Sequence, residues 1–144
     1  FIVGFPGETE RDFEELCQFV RAAQFDWMGV FGYSDEAGAA AQGLERKVGR
    51  REIERRRNTL MRMQRDISRR KKQTLVGRQL DLLLEGPSGE TDLLWEGRTE
   101  MHAPEIDGTV YVNDAGTRQQ VQPGAFYRCE ITEAHDYDLV ARLL

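Results

Sequence analysis

The sequence predicts an α/β part followed by an all-β part, and three observations carry that prediction. Residues 1 to 33 read as strand, helix, strand; residues 49 to 72 read as one highly charged helix; from Thr74 onward the chain breaks into short strands separated by turns. Charge changes at the same place. Residues 1 to 72 carry 15 Lys and Arg against 12 Asp and Glu, a balance of +3, while residues 73 to 144 carry 5 against 13, a balance of −8, and the two sum to the net −5. Parts so different in charge are expected to meet different partners. The expected boundaries are residues 1–48 for the α/β part, 49–73 for a connecting helix and 74–144 for a small β-barrel.

The opening stretch, FIVGFPGETE, packs a strand, a tight turn and a helix start into ten residues. Phe1, Ile2, Val3 and Phe5 form an apolar run of the kind covered on both faces in a parallel sheet. Gly4 within that run implies that a ligand or another backbone comes close. Pro6-Gly7 breaks the strand. Thr9 is placed to cap the following helix, and Asp12 completes a variant capping box with negative charge at the helix's positive end. Over Thr9 to Gln24, Phe13, Leu16, Cys17, Val20 and Ala23 recur at helical spacing on one face. Trp27 to Tyr33 is then expected as a second strand, parallel to the first. Two parallel strands and one helix cannot bury themselves, so the rest of this sheet is expected outside the sequence, which starts inside a strand and without Met.

Ser34 to Leu44 is small and polar, as expected of a loop at a strand's carboxyl end. Gly49 to Lys72 holds 11 basic and 3 acidic residues. Ile53, Leu60 and Ile67 recur every seven residues, with Arg57, Met63 or Gln64 and Lys71 between them, which makes a narrow apolar stripe. A basic helix of this kind can contact RNA or simply be solvated; the solvated reading is preferred. Beyond it, strands are expected at Leu80 to Leu84, Leu93 to Thr99, Thr109 to Val112, Ala125 to Thr132 and Asp138 to Leu144. Breaks are expected at Gly86-Pro87-Ser88-Gly89, at Asp107-Gly108 as a hairpin-type turn, at VNDAG and at Pro123-Gly124. Five short strands suggest a closed antiparallel barrel of the OB type, which removes unprotected edges.

Chemistry-bearing constellations are scarce. Cys17 and Cys129 lie far apart and read as buried small hydrophobes. His102 and His135 are isolated, and no nucleophile–base order can be argued. No apolar run approaches a membrane span and no signal pattern opens the chain, so a cytoplasmic protein is expected. The helix start behind Pro6-Gly7 offers backbone N–H groups to an anion, although a capped turn explains the pattern as well. Tyr33 and Ser34 close the second strand and could meet the same ligand.

Taken together, IVGFPGETERDFEEL, DWMGVFGYSDEAG and LLLEGPSGETDLLWEGRTEMHAPEIDGTVYVND resemble the C-terminal part of the radical SAM methylthiotransferases, over nearly the whole chain. Gly97-Arg98-Thr99 together with Ala103 to Gly108 makes the resemblance closest to the branch that methylthiolates an aspartate of a small-subunit ribosomal protein, the twelfth. The tRNA-modifying relatives are the alternative, and a non-catalytic TRAM-type binding module is another. The resemblance implies that residues 1 to about 45 are the last βαβ part of a partial TIM-like barrel, and that residues 74–144 form a TRAM barrel.

The resemblance further implies S-adenosyl-L-methionine and iron–sulfur clusters as cofactors, the clusters being held by regions absent here, so that this stretch alone is expected to be inactive. Gly4, Phe5, Pro6, Gly7, Tyr33 and Ser34 are then the expected cofactor-side residues. Gly32 stands where a threonine is common in the family, and His102 where Gln is expected. For the substrate side, Glu85, Arg98, Glu100, Glu105 and Asp107 of the acidic barrel are the expected contacts. A barrel of −8 repels RNA phosphates and attracts a basic ribosomal protein, so the ribosomal protein is the expected partner, the ribosome a candidate one, and nucleic acid the disfavoured class. The helix at 49–72 is expected to orient the barrel over the active site.

Overall fold

The computed structural model describes residues 1–91, 93–115 and 121–144, which divide into two compact units, Phe1–Ile67 and Ser68–Leu144. In the first, β1 (Ile2–Val3) and β2 (Phe31–Gly32) pair in parallel, with Ile2 opposite Phe31 and Val3 opposite Gly32. The helix between them, α1 (Glu10–Ala23), starts as its sequence dictates. The Thr9 hydroxyl accepts from the Asp12 N–H at 3.2 Å, and the Asp12 carboxylate accepts from the Thr9 N–H at 2.7 Å. Gln24 ends it in the left-handed conformation, its N–H returning to the Val20 carbonyl.

One expectation is corrected in this unit. The second strand is short, because Trp27 to Val30 contribute no ladder and only Phe31–Gly32 pair. Val3 is fully buried, while Ile2, Phe5 and Phe31 are exposed. Val3, Phe13, Cys17, Val20 and Val30 make a core with Leu60 and Ile67 of α2 (Arg50–Gln73).

The stripe of α2 keeps Leu60, Gln64 and Ile67 of the heptad reading, all buried, but has Arg56 and Lys72 buried where Arg57 and Lys71 are expected. The buried polar positions are Arg56, Gln64, Ser68 and Lys72, and Arg57 is exposed. Each buried head group has a local reason. Gln64 donates to the Phe25 carbonyl at 2.8 Å, Lys72 donates to the Ser68 hydroxyl at 2.6 Å, and Arg56 meets carboxylates.

In the second unit, β3 (Gln79–Pro87), β4 (Trp95–Arg98), β5 (Val110–Asp114), β6 (Phe126–Ala134) and β7 (Leu139–Leu143) close into a five-stranded barrel in the order β3-β4-β5-β7-β6. The barrel is closed as expected, but it is not wholly antiparallel. β7 inserts beside β5 in parallel, Val110 opposite Leu139 and Val112 opposite Ala141, while the remaining ladders are antiparallel. Alternation aims Leu82, Leu84, Val110, Val112, Cys129, Ile131, Leu139, Ala141 and Leu143 into one core.

The breaks differ in detail. Gly86 and Pro87 belong to β3, which bulges between Leu84 and Gly86 rather than turning there. Asp107-Gly108 is not a hairpin turn. The Asp107 carboxylate closes a loop onto the Ala103 N–H at 2.7 Å, and Gly108 is required because a Cβ there would lie 2.1 Å from the Tyr137 carbonyl oxygen. The third strand runs on to Asp114, past the expected start of the VNDAG break, and Gly116 lies outside the described residues.

Candidate functional site

The turn after β1 is braced from several directions. Gly4 has φ +81°, a conformation that glycine adopts without strain. Its N–H donates to Glu8 Oε2 at 2.9 Å. Glu8 Oε1 in turn accepts from Arg56 Nη1 at 2.5 Å, and Arg56 Nε donates to Glu52 Oε1 at 2.8 Å. The Arg56 side chain is 5% exposed and that of Glu8 13%, so this ion pair is screened from water. Its neighbour Arg55 bonds Glu52 and Glu10 from the solvent side. Hydrogen bonds from Arg55 and then Arg56 hold the Glu52 carboxyl down at about 2.

What approaches the two strand glycines is a side chain of α2. A Cβ on Gly4 would lie 2.3 Å from Ile53 Cγ1, and one on Gly32 would lie 2.7 Å from Ile53 Cγ2. Ile53 thus seats between the carboxyl ends of both parallel strands. A threonine at position 32 would collide with it.

Beside Ile53, a cavity of about 370 Å³ is lined by Tyr33, Ser34, Asp35, Lys47, Val48, Arg50 and Glu54. Tyr33 and Lys47 both donate to Asp35 Oδ1, Tyr33 at 2.8 Å, and Lys47 also donates to the Ala41 carbonyl at 3.0 Å. The Lys47 hydrogen bond, then that of Tyr33, lowers the Asp35 pKa. Desolvation, then Asp35, raises that of Tyr33. This clasp holds the loop that follows β2.

Of the expected cofactor-side residues, Phe5 and Tyr33 meet edge to face with ring centroids 5.3 Å apart. Ser34 lines the cavity with Tyr33, and its hydroxyl donates to Glu36 at 3.2 Å. Gly7 donates to the Arg46 carbonyl at 3.0 Å. Gly4, Phe5, Pro6 and Gly7 do not line the cavity. Among the described residues no cluster of His, Cys, Asp or Glu could hold a metal, and Cys17 and Cys129 are both buried singly. Sequence reading missed Lys47 and Arg56, neither of which stands in a motif, and read Ile53 only as part of the apolar stripe of α2.

The barrel carries a second and larger concavity, about 690 Å³, bounded by β3, β6 and the segment after β4. The strand register builds its floor. Leu83 lies opposite Phe126 on one neighbour and opposite Arg98 on the other, and Asp81 lies opposite Arg128. Thr99, Glu100, Met101 and His102 complete the rim. Arg98 pairs with Glu85 at 2.9 Å and Arg128 with Asp81 at 3.0 Å. His102 is buried against the Thr99 hydroxyl at 2.9 Å, and burial, then Lys72, lowers its pKa.

The structure therefore brings Arg98 and Glu100 together on this groove with Glu85 behind Arg98, while Glu105 and Asp107 lie in the 103–107 loop and do not line it. Phe126, Arg128, Asp81 and Leu83 were missed as site residues, although their outward alternation on two strands was the available signal.

Residues 76–144 match the TRAM domain family. The whole chain is similar to proteins named ribosomal protein uS12 methylthiotransferase RimO. It is 68% identical to that of Koribacter versatilis over 100% of this chain and 29% of the relative. The corresponding identities are 53% for Solibacter usitatus, over 31% of the relative, and 50% for Myxococcus xanthus, over 29%. The chain thus spans about three tenths of the length of the curated relatives it matches.

Proposed function

We infer the function from the premise that residues 1–144 correspond to the C-terminal part of a ribosomal protein uS12 methylthiotransferase of the RimO type, with a TRAM domain over residues 76–144. The observation that carries the reading is the 68% identity over 144 residues, a match that takes in both units. In this reading the parent enzyme converts an aspartate of uS12 to β-methylthioaspartate. S-adenosyl-L-methionine and iron–sulfur clusters supply the radical and sulfur chemistry, and the protein positions and shields them.

This chain's own contribution is structural support and substrate docking. The Glu8–Arg56 pair and Ile53 fix the strand ends and the FPGET turn, and the Tyr33–Asp35–Lys47 clasp fixes the loop beside them. The described residues offer no metal-holding cluster, so no step of cluster chemistry is assigned to them. The acidic barrel docks the basic substrate protein, a role supported by its balance of 5 basic against 13 acidic residues.

The test is a graft. The aligned segment of the Koribacter versatilis relative is replaced by this chain, and uS12 modification is followed by mass spectrometry. Retained methylthiolation of uS12 is expected. A folded, cofactor-loaded chimaera that leaves uS12 unmodified would refute the assignment.

A further inference from the structure

We propose that the groove on the outer face of β3 and β6 seats an extended basic segment of a partner protein, with a Lys or Arg side chain on Glu100 and a neighbouring apolar side chain on Phe126. The inference rests on the docking reading above and narrows it to one surface.

Three observations select that occupant. The groove has an apolar floor and an aromatic wall: Leu83 lies between Phe126 and Arg98 in the register, and Phe126, the first residue of β6, is 74% exposed. Exposed aromatics in a concavity are the side chains on which interfaces concentrate their energy.

The charges favour a cation. Each arginine of the lining has a carboxylate of its own, Glu85 for Arg98 and Asp81 for Arg128, so an incoming phosphate or carboxylate would have to displace an existing pair. Glu100 is the lining carboxylate outside those pairs. A lysine or arginine reaching it can also lay its stem, or its guanidinium, against the Phe126 ring.

The shape suits an extended chain. The cavity of about 690 Å³ follows the strands from Gln79 and Asp81 to Leu83 and is bounded at the far side by Thr99 to His102. A single-stranded nucleic acid could stack on Phe126 too, but its phosphates would meet a unit of negative balance.

The experiment is NMR on the 144-residue chain with three probes: purified uS12, an acetylated Gly-Arg-Leu-Lys-Gly peptide, and a uridine oligonucleotide. Amide shifts centred on Leu83, Glu100 and Phe126 are expected with uS12 and with the peptide, and none with the oligonucleotide at physiological salt. Phe126→Ser and Glu100→Lys should each weaken uS12 binding about tenfold or more. Glu133→Lys, the same charge change away from the groove, should weaken it about threefold or less.

Outcomes separate the two readings. If the peptide perturbs the groove and uS12 does not bind, the groove stands and the uS12 reading falls. If uS12 binds with its shifts elsewhere, or Glu133→Lys weakens it as much as Glu100→Lys, the groove proposal is overturned while docking stands. Preferential groove shifts with the oligonucleotide, or no groove shifts with any probe, also overturn it.

Discussion

Arg55 and Arg56 are adjacent, both bond Glu52 and Glu10, and yet they should differ sharply in what they contribute. The Arg55 side chain is 47% exposed and its partners are solvated, so Arg55→Met should change stability little. Arg56 is different because of what it would leave behind. Glu10 is half exposed and re-hydrates, and Glu52 keeps Arg55, but Glu8 would keep only the Gly4 N–H for a carboxylate that is 13% exposed. Stranding a largely buried charge costs about 3–5 kcal/mol.

Arg56→Lys should recover little, since one ammonium cannot reproduce a fork that reaches Glu8, Glu52 and the Glu8 carbonyl together. Adding Glu8→Gln to Arg56→Met should restore a large share by removing the stranded charge. The assay is urea unfolding followed by Trp27 fluorescence in a Trp95→Phe background, because Trp27 lies in the first unit and Trp95 packs on the barrel core. With a slope of about 1–1.5 kcal/mol/M, Arg56→Met should lower the midpoint by about 2–5 M. An Arg56→Met midpoint equal to that of Arg55→Met would refute the reasoning, as would a Glu8→Gln addition that worsens it.

Further outcomes follow from the same geometry. Gly4→Ala combines a positive φ with a clash on Ile53 and should cost about 2–4 kcal/mol; Ile53→Ala in the same chain should relieve the clash and leave the conformational part, read as a double-mutant cycle. Gly108→Ala meets the Tyr137 carbonyl, which cannot withdraw as a flexible side chain would, and should lower the barrel's Tm by several degrees in calorimetry.

Two pH effects should also be measurable. His102 has a lowered pKa in the fold, so the unfolded chain binds its proton more readily. The barrel should hold full stability above about pH 6.5 and lose some as pH falls below it, a slope that His102→Gln should flatten. Glu52 is held at about 2, so its support for the first unit should be complete above its ordinary value of 4.5 and be lost as pH falls toward 2, and Glu52→Gln should remove that loss.

Local chemistry was legible before the structure. The Thr9–Asp12 capping box, the apolar face of α1, the parallel strand pair and the count of five barrel strands are all written in neighbouring residues. What escaped depends on contacts between residues distant in sequence. Trp27 to Val30 have strand-like side chains, but only Phe31 and Gly32 find a ladder partner. Gly4 announces a close approach in sequence, and only the fold reveals that Ile53, far along the chain, is what approaches. Arg56 looked like one basic residue among many until its burial against Glu8 set it apart. The groove assembled from β3, β6 and the post-β4 segment has no signature in any one of them, because cross-strand register creates it.

The parallel seat of β7 bears on how this barrel can be made. Leu139–Leu143 fills the gap between β5 and β6, and among the described residues no other strand satisfies both of those edges. A nascent or clipped chain lacking these residues would carry two raw hydrogen-bonding borders facing a half-open core, a state prone to pair with a second molecule. Closure waits on contacts of high sequence separation, so the barrel should fold late and slowly relative to the local turns of α1. A protease or stop codon acting just before Leu139 would therefore convert a self-contained barrel into a sticky intermediate, rather than merely shortening it.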